Sequence, residues 1–464
     1  MKIILTHGYF LKEDKKEQKI MRPYPPLGLL YISAYLEMYA MDNEVFDSTF
    51  STLDQFKEYL NLNKPDVLAL YTNLMTKINV IQMMKLAKKI TPGVKIILGG
   101  PDVTYNTADY LRSGADYIVI GEGEETMLEL VRFIKGDFND QNSIDGIAYL
   151  DADGHEIKTK PRQKLKDINS LPLPNRNAID LQLYLNAWKD FHGESALNVS
   201  TQRGCPYTCK WCSTAVYGQS YRRRNPAKVV EELKEIQSNY NPDTIWFVDD
   251  VFTISHKWLN QFADELERND VKIKFECISR ADRMNADVIK TLKRAGCFRV
   301  WIGAESGSQK IIDAMDRRVS VGQVRDMIRE SKKSGIETGT FIMLGYPGET
   351  ESDILETIHH LKDSNPDYFT ITIAYPIKGT ALYDEIEAIQ TKDLDWEHST
   401  DRDRQFSRTY PDRYYQFAVR HVVNEVNAHK QLKHRLSFGG IKSKLKSESA
   451  LMAMKMIRKF PAVK

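Results

Sequence analysis

Three of the five cysteines lie in one short segment, as Cys205, Cys209 and Cys212, with three residues and then two residues between them. If the cysteines were placed at random, a CxxxCxxC match would be expected in roughly one chain in a thousand or fewer. Three thiolates from one loop can hold three corners of an iron-sulfur cube and leave one iron open. The spacing therefore predicts a single metal site.

The same loop could instead bind zinc, because three sulfur ligands also suit that metal. A closed zinc site would need a fourth ligand, and the nearest histidines, His192 and His256, have no ligand-like spacing to the loop. Cys277 and Cys297 stand alone, and the odd total of five cysteines is not a disulfide framework. We expect these two thiols to pack in the core of a cytoplasmic protein.

The cysteine loop resembles the signature of the radical S-adenosylmethionine (SAM) enzymes, in which an aromatic residue precedes the last cysteine. Trp211 occupies that position. The resemblance implies a [4Fe-4S] cluster whose unligated iron chelates the amino and carboxylate groups of SAM. It further implies reductive cleavage of SAM to methionine and a 5'-deoxyadenosyl radical, with electrons from an external donor such as flavodoxin or ferredoxin.

Short apolar segments alternate with helical patterns over the first 135 residues, which predicts a doubly wound, Rossmann-like parallel sheet. Ligands on such sheets bind at the carboxyl ends of the strands. Gly99, Gly100, Gly121 and Gly123 lie at such ends, where a backbone without side chains lets a large flat ligand approach. On the glycines alone, ordinary tight turns are the favoured interpretation. The predicted strands are 2–5, 43–46, 67–71, 95–98 and 117–120.

The order of segments resembles the cobalamin-binding class of radical SAM enzymes over most of residues 1–385. Pro25-Pro26-Leu27-Gly28, Gly99-Gly100-Pro101-Asp102 and Gly121-Glu122-Gly123-Glu124 carry this resemblance ahead of the cysteine loop. It implies a corrinoid against the carboxyl edge of the first sheet. An Asp-x-His-x-x-Gly motif for a lower axial histidine is missing, since His7 has Leu5 two residues before it and Phe10 three residues after it. Cobalamin is therefore expected without a histidine ligand, or is not bound.

Prolines at 161, 172 and 174 predict an extended connector between two domains. A second βα series follows, with predicted strands at 196–201, 244–248, 272–278, 298–302, 338–344 and 368–374. Six strands agree with the partial (β/α)6 TIM-type barrel of the radical SAM family, with the cysteine loop at the carboxyl face, where barrel active sites lie. The predicted division is 1–140 cobalamin-binding-like, 141–195 hairpin and linker, 196–395 barrel, and 396–464 helical and basic.

Polar residues and glycines follow several predicted barrel strands. By resemblance, Asp249 would lie near the methionyl amine of SAM, and Arg280 and Glu305 near its ribose or carboxylate. The turn that contains Gly345 and Gly348 would lie beside the adenine. Each polar side chain has the alternative interpretation of a helix cap or a surface ion pair. The basic run 222–224 is expected to be mostly solvated.

The net charge of +2 is unevenly distributed, because residues 431–464 contain nine Lys or Arg and one acid, Glu448. The remainder of the chain is net negative, which argues against a nucleic-acid partner. A predicted helix at 450–460 combines apolar residues with Lys455, Arg458 and Lys459, a pattern that suits peripheral contact with an anionic membrane. The alternative is packing over the open side of the barrel.

Three functional hypotheses follow. The first is cobalamin-dependent radical SAM methylation of an unactivated carbon, in a small molecule such as a lipid, a tetrapyrrole or a natural-product intermediate. The second is oxidative cyclisation or rearrangement without methyl transfer, because Pro25-Pro26-Leu27-Gly28 also resembles the anaerobic porphyrin ring cyclases. The third is a noncatalytic iron-sulfur or zinc module.

Overall fold

The computed structural model describes residues 1–387, 394–404, 406–433 and 437–458. Within them the strands are β1 (Ile3–His7), β2 (Glu44–Phe46), β3 (Val67–Tyr71), β4 (Lys95–Gly99), β5 (Tyr117–Val119), β6 (Ile147–Leu150), β7 (Glu156–Lys158), β8 (Ala196–Val199), β9 (Gln202–Arg203), β10 (Arg222–Arg223), β11 (Thr244–Phe247), β12 (Phe275–Ser279), β13 (Cys297–Glu305), β14 (Glu337–Leu344) and β15 (Tyr368–Ile373).

The α-helices of the described residues are α1 (Lys15–Ile20), α2 (Leu27–Met38), α3 (Leu53–Asn63), α4 (Lys77–Ile90), α5 (Thr107–Arg112), α6 (Gly123–Lys135), α7 (Leu181–His192), α8 (Pro226–Asn239), α9 (His256–Arg268), α10 (Ala286–Arg294), α11 (Gln309–Ala314), α12 (Val321–Lys333), α13 (Glu351–Ser364), α14 (Ala381–Glu387), α15 (Asp412–Leu432) and α16 (Phe438–Arg458).

The chain forms two compact units that alternate along the sequence. Unit 1 is Met1–Pro206, Ser213–Trp246 and Asp393–Asp403, and unit 2 is Tyr207–Cys212, Phe247–Lys392 and Arg404–Lys464. The division made from the sequence has four domains, each a single continuous segment. The two interleaved units do not test these boundaries, so the four-part division stays a prediction.

Unit 1 contains a seven-stranded sheet of order β2-β1-β3-β4-β5-β6-β7. Strands β1 to β5 pair in parallel, as predicted from the alternation of strands and helices. Alternate strand residues enter two separate buried clusters: Ile4, Leu68 and Leu98 belong to one, and Val67 and Ile97 belong to the other. Since strand side chains point alternately to opposite faces, both faces of this sheet are covered by helices.

Two features of unit 1 differ from the expectation. The predicted hairpin of β6 and β7 adds two antiparallel strands to the edge of the sheet beside β5. The predicted extended connector also ends earlier than expected, because Leu181–His192 forms α7. Asp180 caps its first turn through the backbone N–H of Gln182, and Gly193 ends it at φ 81°. These are ordinary start and stop signals, which the proline-rich segment before them obscured.

The second sheet has six strands in the order β15-β14-β13-β12-β11-β8, and the pairs from β12 to β15 are parallel. The predicted partial (β/α)6 barrel with a helical C-terminal region is confirmed. The last helix, α16, begins at Phe438 rather than at Ala450, and Lys459 and Phe460 of the prediction lie outside the described residues. Among the helices described here, none has the length and apolar character needed to cross a bilayer.

Candidate active site

The cysteine loop has little regular structure of its own and is held by its backbone. In unit 2, the Lys210 N–H donates to the Met315 carbonyl (3.1 Å), and the Lys210 carbonyl accepts from the Leu382 N–H (2.9 Å). Cys209 is buried, Cys205 is half-buried and Cys212 is exposed. All five cysteines lie in described segments, and none forms a disulfide. The predicted ligands are therefore available as thiols.

Two guanidinium groups contact the sulfur of Cys209. Arg280 Nη1 lies 3.5 Å from Cys209 Sγ, and Arg317 Nη1 lies 3.7 Å from it. Arg280 is 2% exposed and Arg317 is 8% exposed. Hydrogen bonds to sulfur and local positive charge tune iron-sulfur clusters. This donor set fits an anionic iron-sulfur group.

Arg280 is held on every side within unit 2. Its Nε donates to Asp282 (2.8 Å), its Nη2 donates to the Arg317 carbonyl (2.7 Å), and its Cζ lies 3.8 Å from the ring centre of Tyr207. All three of its nitrogens thus have protein partners. We therefore assign Arg280 to support of the cysteine loop, and its predicted contact with SAM stays a prediction.

Glu305 ends β13 in a strained conformation. It has φ 64°, which is left-handed and uncommon for a residue other than glycine. Its side chain is nearly buried, and Oε1 lies 3.6 Å from Arg317 Nη2. Burial raises the pKa of Glu305, and the charges of Arg317 and Arg280 offset part of this rise. Such strain at a strand end is typical of functional positions.

Arg317 contacts both Cys209 and Glu305. The sequence did not identify it as a site residue. Its Nη2 donates to the Gly303 carbonyl (3.0 Å), and a Cβ at Gly303 would lie 2.3 Å from that nitrogen. Gly303 therefore leaves room for the guanidinium. Arg317 lies in a charged Asp-Arg-Arg run that resembles a solvated turn, so no local signal marked it.

Trp211 packs beside the cluster that contains Met315, Met343 and Tyr346, and Arg317 Cζ lies 5.7 Å from its ring centre. Asp249 follows β11 and is 1% exposed. The segment after Asp249 is fixed against β12, because the Phe252 N–H donates to the Ile278 carbonyl (2.8 Å). Both residues are thus held in place in unit 2, and their contacts with SAM stay predictions.

The turn after β14 is stabilised by a buried carboxyl group. Gly345 and Gly348 have φ of 80° and 79°, and the Gly345 N–H donates to Glu349 Oε2 (2.6 Å). Glu349 Oε1 is buried and has no hydrogen-bond partner within the described segments. Burial raises the pKa of Glu349 to about 8. The predicted adenine contact of this turn stays a prediction, whereas its shape depends on Glu349.

Glu349 should make stability depend on pH. Its pKa is about 8 in the folded chain and 4.5 ordinarily, so its contribution is fully present below pH 4.5 and is lost as pH rises through 8. Over that window, Glu349→Gln should gain stability relative to the wild type by up to about 1.4 kcal/mol per pH unit. Urea midpoints at pH 6, 7 and 8 measure this. Glu356→Gln, at an exposed site on α13, the helix that follows this turn, should show no such trend. Parallel curves for wild type and Glu349→Gln would contradict the prediction.

The carboxyl edge of the first sheet carries the four predicted glycines. A Cβ at Gly99 would meet only Val119, at 3.9 Å, and one at Gly121 would meet only Val216, at 3.8 Å. Both positions leave room for a flat ligand. Gly100 has φ 112° and a Cβ there would lie 2.3 Å from the Thr72 carbonyl, so the turn itself requires it. Gly123 faces Ile32 at 3.0 Å, where α6 packs.

His7 lies at the end of β1, and both of its ring nitrogens are engaged. Nε2 lies 3.0 Å from Asp47 Oδ1, while Nδ1 lies 3.1 Å from Ser48 Oγ and 3.2 Å from the Tyr9 N–H. The side chain is 5% exposed. These contacts leave no nitrogen for a metal and agree with the expectation of cobalamin without a ligand from this histidine.

A cavity of about 790 Å³ opens at the same edge, lined in part by the segments that follow β1 (residues 8–10) and β3 (residues 73–79). In the order β2-β1-β3, the connections leave β1 and β3 towards opposite faces. Such a switch point is where open α/β sheets bind ligands, and the volume lies in the range of small-molecule sites. This edge fits a large cofactor.

The acids of the Gly121-Glu122-Gly123-Glu124 segment hold the start of the cysteine loop. Arg203, two residues before Cys205, is buried in ion pairs with Glu124 and, at 3.8 Å, with Glu122. Arg222 also pairs with Glu122.

The expectation that the basic run is mostly solvated was wrong. Arg224 is 7% exposed and pairs with Glu232 of α8, which also pairs with Arg176 (2.9 Å). The Glu232 carboxylate lies between two guanidinium groups, so the buried charges are compensated by one another instead of by water.

Comparisons with known proteins agree with this geometry. Residues 199–361 match the family model of the Radical SAM superfamily, and residues 19–131 match that of the B12 binding domain. The chain is 29% identical over 369 residues to a protein of Pyrococcus horikoshii named an uncharacterized methyltransferase, with 78% of each chain covered. It is 27% identical over 372 residues to the anaerobic magnesium-protoporphyrin IX monomethyl ester cyclase of Rubrivivax gelatinosus, covering 78% of this chain and 66% of the cyclase.

A solved structure has the same architecture over nearly its full length. It is the radical SAM methyltransferase TsrM from Kitasatospora setae with cobalamin and a [4Fe-4S] cluster bound. The TM-score is 0.73 at 15% identity, with 97% of this chain and 99% of TsrM covered. At this identity the likeness concerns the fold.

Proposed function

Because the chain belongs to the radical SAM enzymes that carry a B12-binding domain, we propose that it methylates an unactivated carbon of a small molecule in a cobalamin-dependent reaction. The observation that carries this proposal is the presence of both domains in one chain. The names of relatives support methyl transfer, since the Pyrococcus protein is called a methyltransferase and TsrM is one.

The cysteine loop and the residues around Cys209 would bind the cluster and SAM. The bound cluster supplies the electron that cleaves SAM, and bound cobalamin supplies a carrier for the methyl group. Cys205, Cys209 and Cys212 would hold three irons. Arg280 and Arg317 place two positive charges beside the Cys209 sulfur, where they would stabilise an anionic cluster. Glu305 offers a carboxylate to hydroxyl or amino groups, and the buried walls around Arg317 exclude water.

The carboxyl edge of the first sheet would hold the corrinoid. Gly99 and Gly121 leave a side-chain-free surface, and the cavity after β1 and β3 offers space for a further part of the cofactor. His7 keeps its partners Asp47 and Ser48, so we expect no nitrogen ligand from it.

The partners and the location are proposed on chemical grounds. Cluster chemistry of this kind needs an external one-electron donor, for which a flavodoxin or ferredoxin is suited. Five reduced cysteines favour a cytoplasmic protein. A lipid, a tetrapyrrole or a natural-product intermediate would suit the substrate role.

Oxidative cyclisation is the second candidate. It is favoured by the similarity to the Rubrivivax cyclase, which extends over 372 residues. Cyclisation needs the same cleavage of SAM but transfers no methyl group, so the products of SAM distinguish the two reactions.

The test is anaerobic reconstitution of the full chain with iron, sulfide and hydroxocobalamin, followed by addition of dithionite and SAM. Methylation predicts S-adenosylhomocysteine in addition to 5'-deoxyadenosine, with the former dependent on added cobalamin. Mass spectrometry quantifies both nucleosides. Formation of 5'-deoxyadenosine alone would favour cyclisation, and the absence of both products would contradict either reaction and favour the noncatalytic module.

A further inference from the structure

The last helix, α16, carries a row of exposed apolar side chains. Phe438, Ile441, Leu445, Met452 and Met456 are 83%, 46%, 67%, 64% and 62% exposed. At 3.6 residues per turn they fall within a stripe about 60° wide. We call these five residues the apolar stripe. Exposed apolar rows of this kind mark interaction surfaces.

The opposite side of α16 is the side that packs in unit 2. Ala450 and Met454 are 4% and 1% exposed, and Ser447 Oγ lies 2.7 Å from Glu425 Oε2 and 2.9 Å from His421 Nδ1 of α15. This network fixes the rotation of the helix. The apolar stripe therefore faces away from the contacts that fold the helix pair.

Lysines border the stripe on both sides. Lys442 and Lys446 lie on one flank, and Lys455 lies on the other. These three have no ion pair within the described ranges, and all are exposed. The single acid of the helix, Glu448, is already paired with Lys444 (3.0 Å). The surface is thus apolar at its centre and positive at its edges.

A cavity adjoins the same surface. A cavity of about 770 Å³ lies between the two C-terminal helices, lined by Phe417, Arg420 and Asn424 of α15 and by stripe residues Phe438, Ile441 and Leu445. Arg420 adds another cation to its edge.

We infer that the apolar stripe and its flanking lysines dock this protein onto an anionic lipid bilayer, with α16 lying in the plane of the interface. Apolar burial and attraction to acidic headgroups together explain why exposed apolar residues and lysines occur on one helix face. A protein partner would need a matching acidic and apolar surface, which a bilayer of acidic lipid provides without further specificity. The inference is independent of the reaction proposed above and needs no bound cofactor.

The test is flotation of the full-length chain with vesicles of phosphatidylcholine containing 30% phosphatidylglycerol, compared with pure phosphatidylcholine vesicles. The wild type should partition into the anionic vesicles and lose most of this binding at high salt. Lys442→Gln with Lys446→Gln should weaken partitioning by about 25-fold, from about fivefold per lysine near the surface. Leu445→Ser with Met452→Ser should weaken it by at least about tenfold through lost apolar burial.

A matched control separates the effect of these lysines from the effect of lowering the total positive charge of the protein. Lys257→Gln with Lys290→Gln removes two exposed lysines from α9 and α10 of the same unit and should leave partitioning unchanged. Circular dichroism confirms that each variant folds. Wild-type binding to neither vesicle, or equal binding by the serine variant, would overturn the inference. So would a wild-type dimer in sedimentation that the serine variant converts to a monomer, if no vesicle binding accompanies it.

Discussion

Replacing Cys209 with alanine is expected to remove the iron-sulfur cluster and to lower SAM cleavage below about one hundredth of the wild-type rate. Loss of a group that merely supports a metal ligand costs ~10 to 100-fold, so loss of a ligand should cost more. The same result is expected for Cys205→Ala and Cys212→Ala. Iron and sulfide content, the electron paramagnetic resonance signal and 5'-deoxyadenosine formation measure it.

The isolated cysteines provide matched controls for this prediction. Cys277 and Cys297 are 0% and 1% exposed and lie in β12 and β13, as expected for packed thiols. Alanine at either position should leave the iron content unchanged. Retention of iron by the triple alanine variant of the loop would show that the metal lies elsewhere.

Substitution of Arg317 by methionine is expected to lower the reduction potential of the cluster by about 60 mV or more. Reduction adds negative charge, and removal of a buried cation 3.7 Å from a ligand sulfur disfavours that charge. A 60 mV change in a one-electron couple corresponds to ~1.4 kcal/mol. Redox titration followed by electron paramagnetic resonance provides the measurement.

Two further variants make this result specific. Arg317→Lys keeps the charge and should retain most of the wild-type potential. Arg318→Met removes the neighbouring exposed arginine, which pairs with Asp316 at 2.8 Å, and should have little effect. If the Arg317→Met and Arg318→Met variants both had the reduction potential of the wild type, Arg317 would have no electrostatic role at the cluster.

The cysteine loop could be found in the sequence because its three ligands lie within eight residues, so their spacing alone is informative. The parallel strands could be found because strands covered on both faces are continuously apolar. Arg317 could not be found in this way, since it lies 108 residues from Cys209 and only the barrel brings the two together. Arg224 shows the same limit, because its burial depends on the distant partner Arg176 through Glu232.

Residue type alone does not give the structural role of every site residue. Gly99 and Gly100 are adjacent and look equivalent in the sequence, yet Gly100 is required by the turn against Thr72 and Gly99 leaves open space. Only the path of the backbone separates these roles. Arg280 was correctly placed at the end of a barrel strand, but its partners could be assigned only once Tyr207, Asp282 and Arg317 were located around it.

The ion pairs of Arg203 bear on how the protein is made in the cell. Its counter-charges, Glu122 and Glu124, are synthesised about 80 residues earlier than the arginine itself, and domains generally fold in the order of their synthesis. The acids have thus already left the ribosome when the arginine that precedes Cys205 is synthesised. A fragment that began after residue 195 would therefore leave this buried cation without its partners.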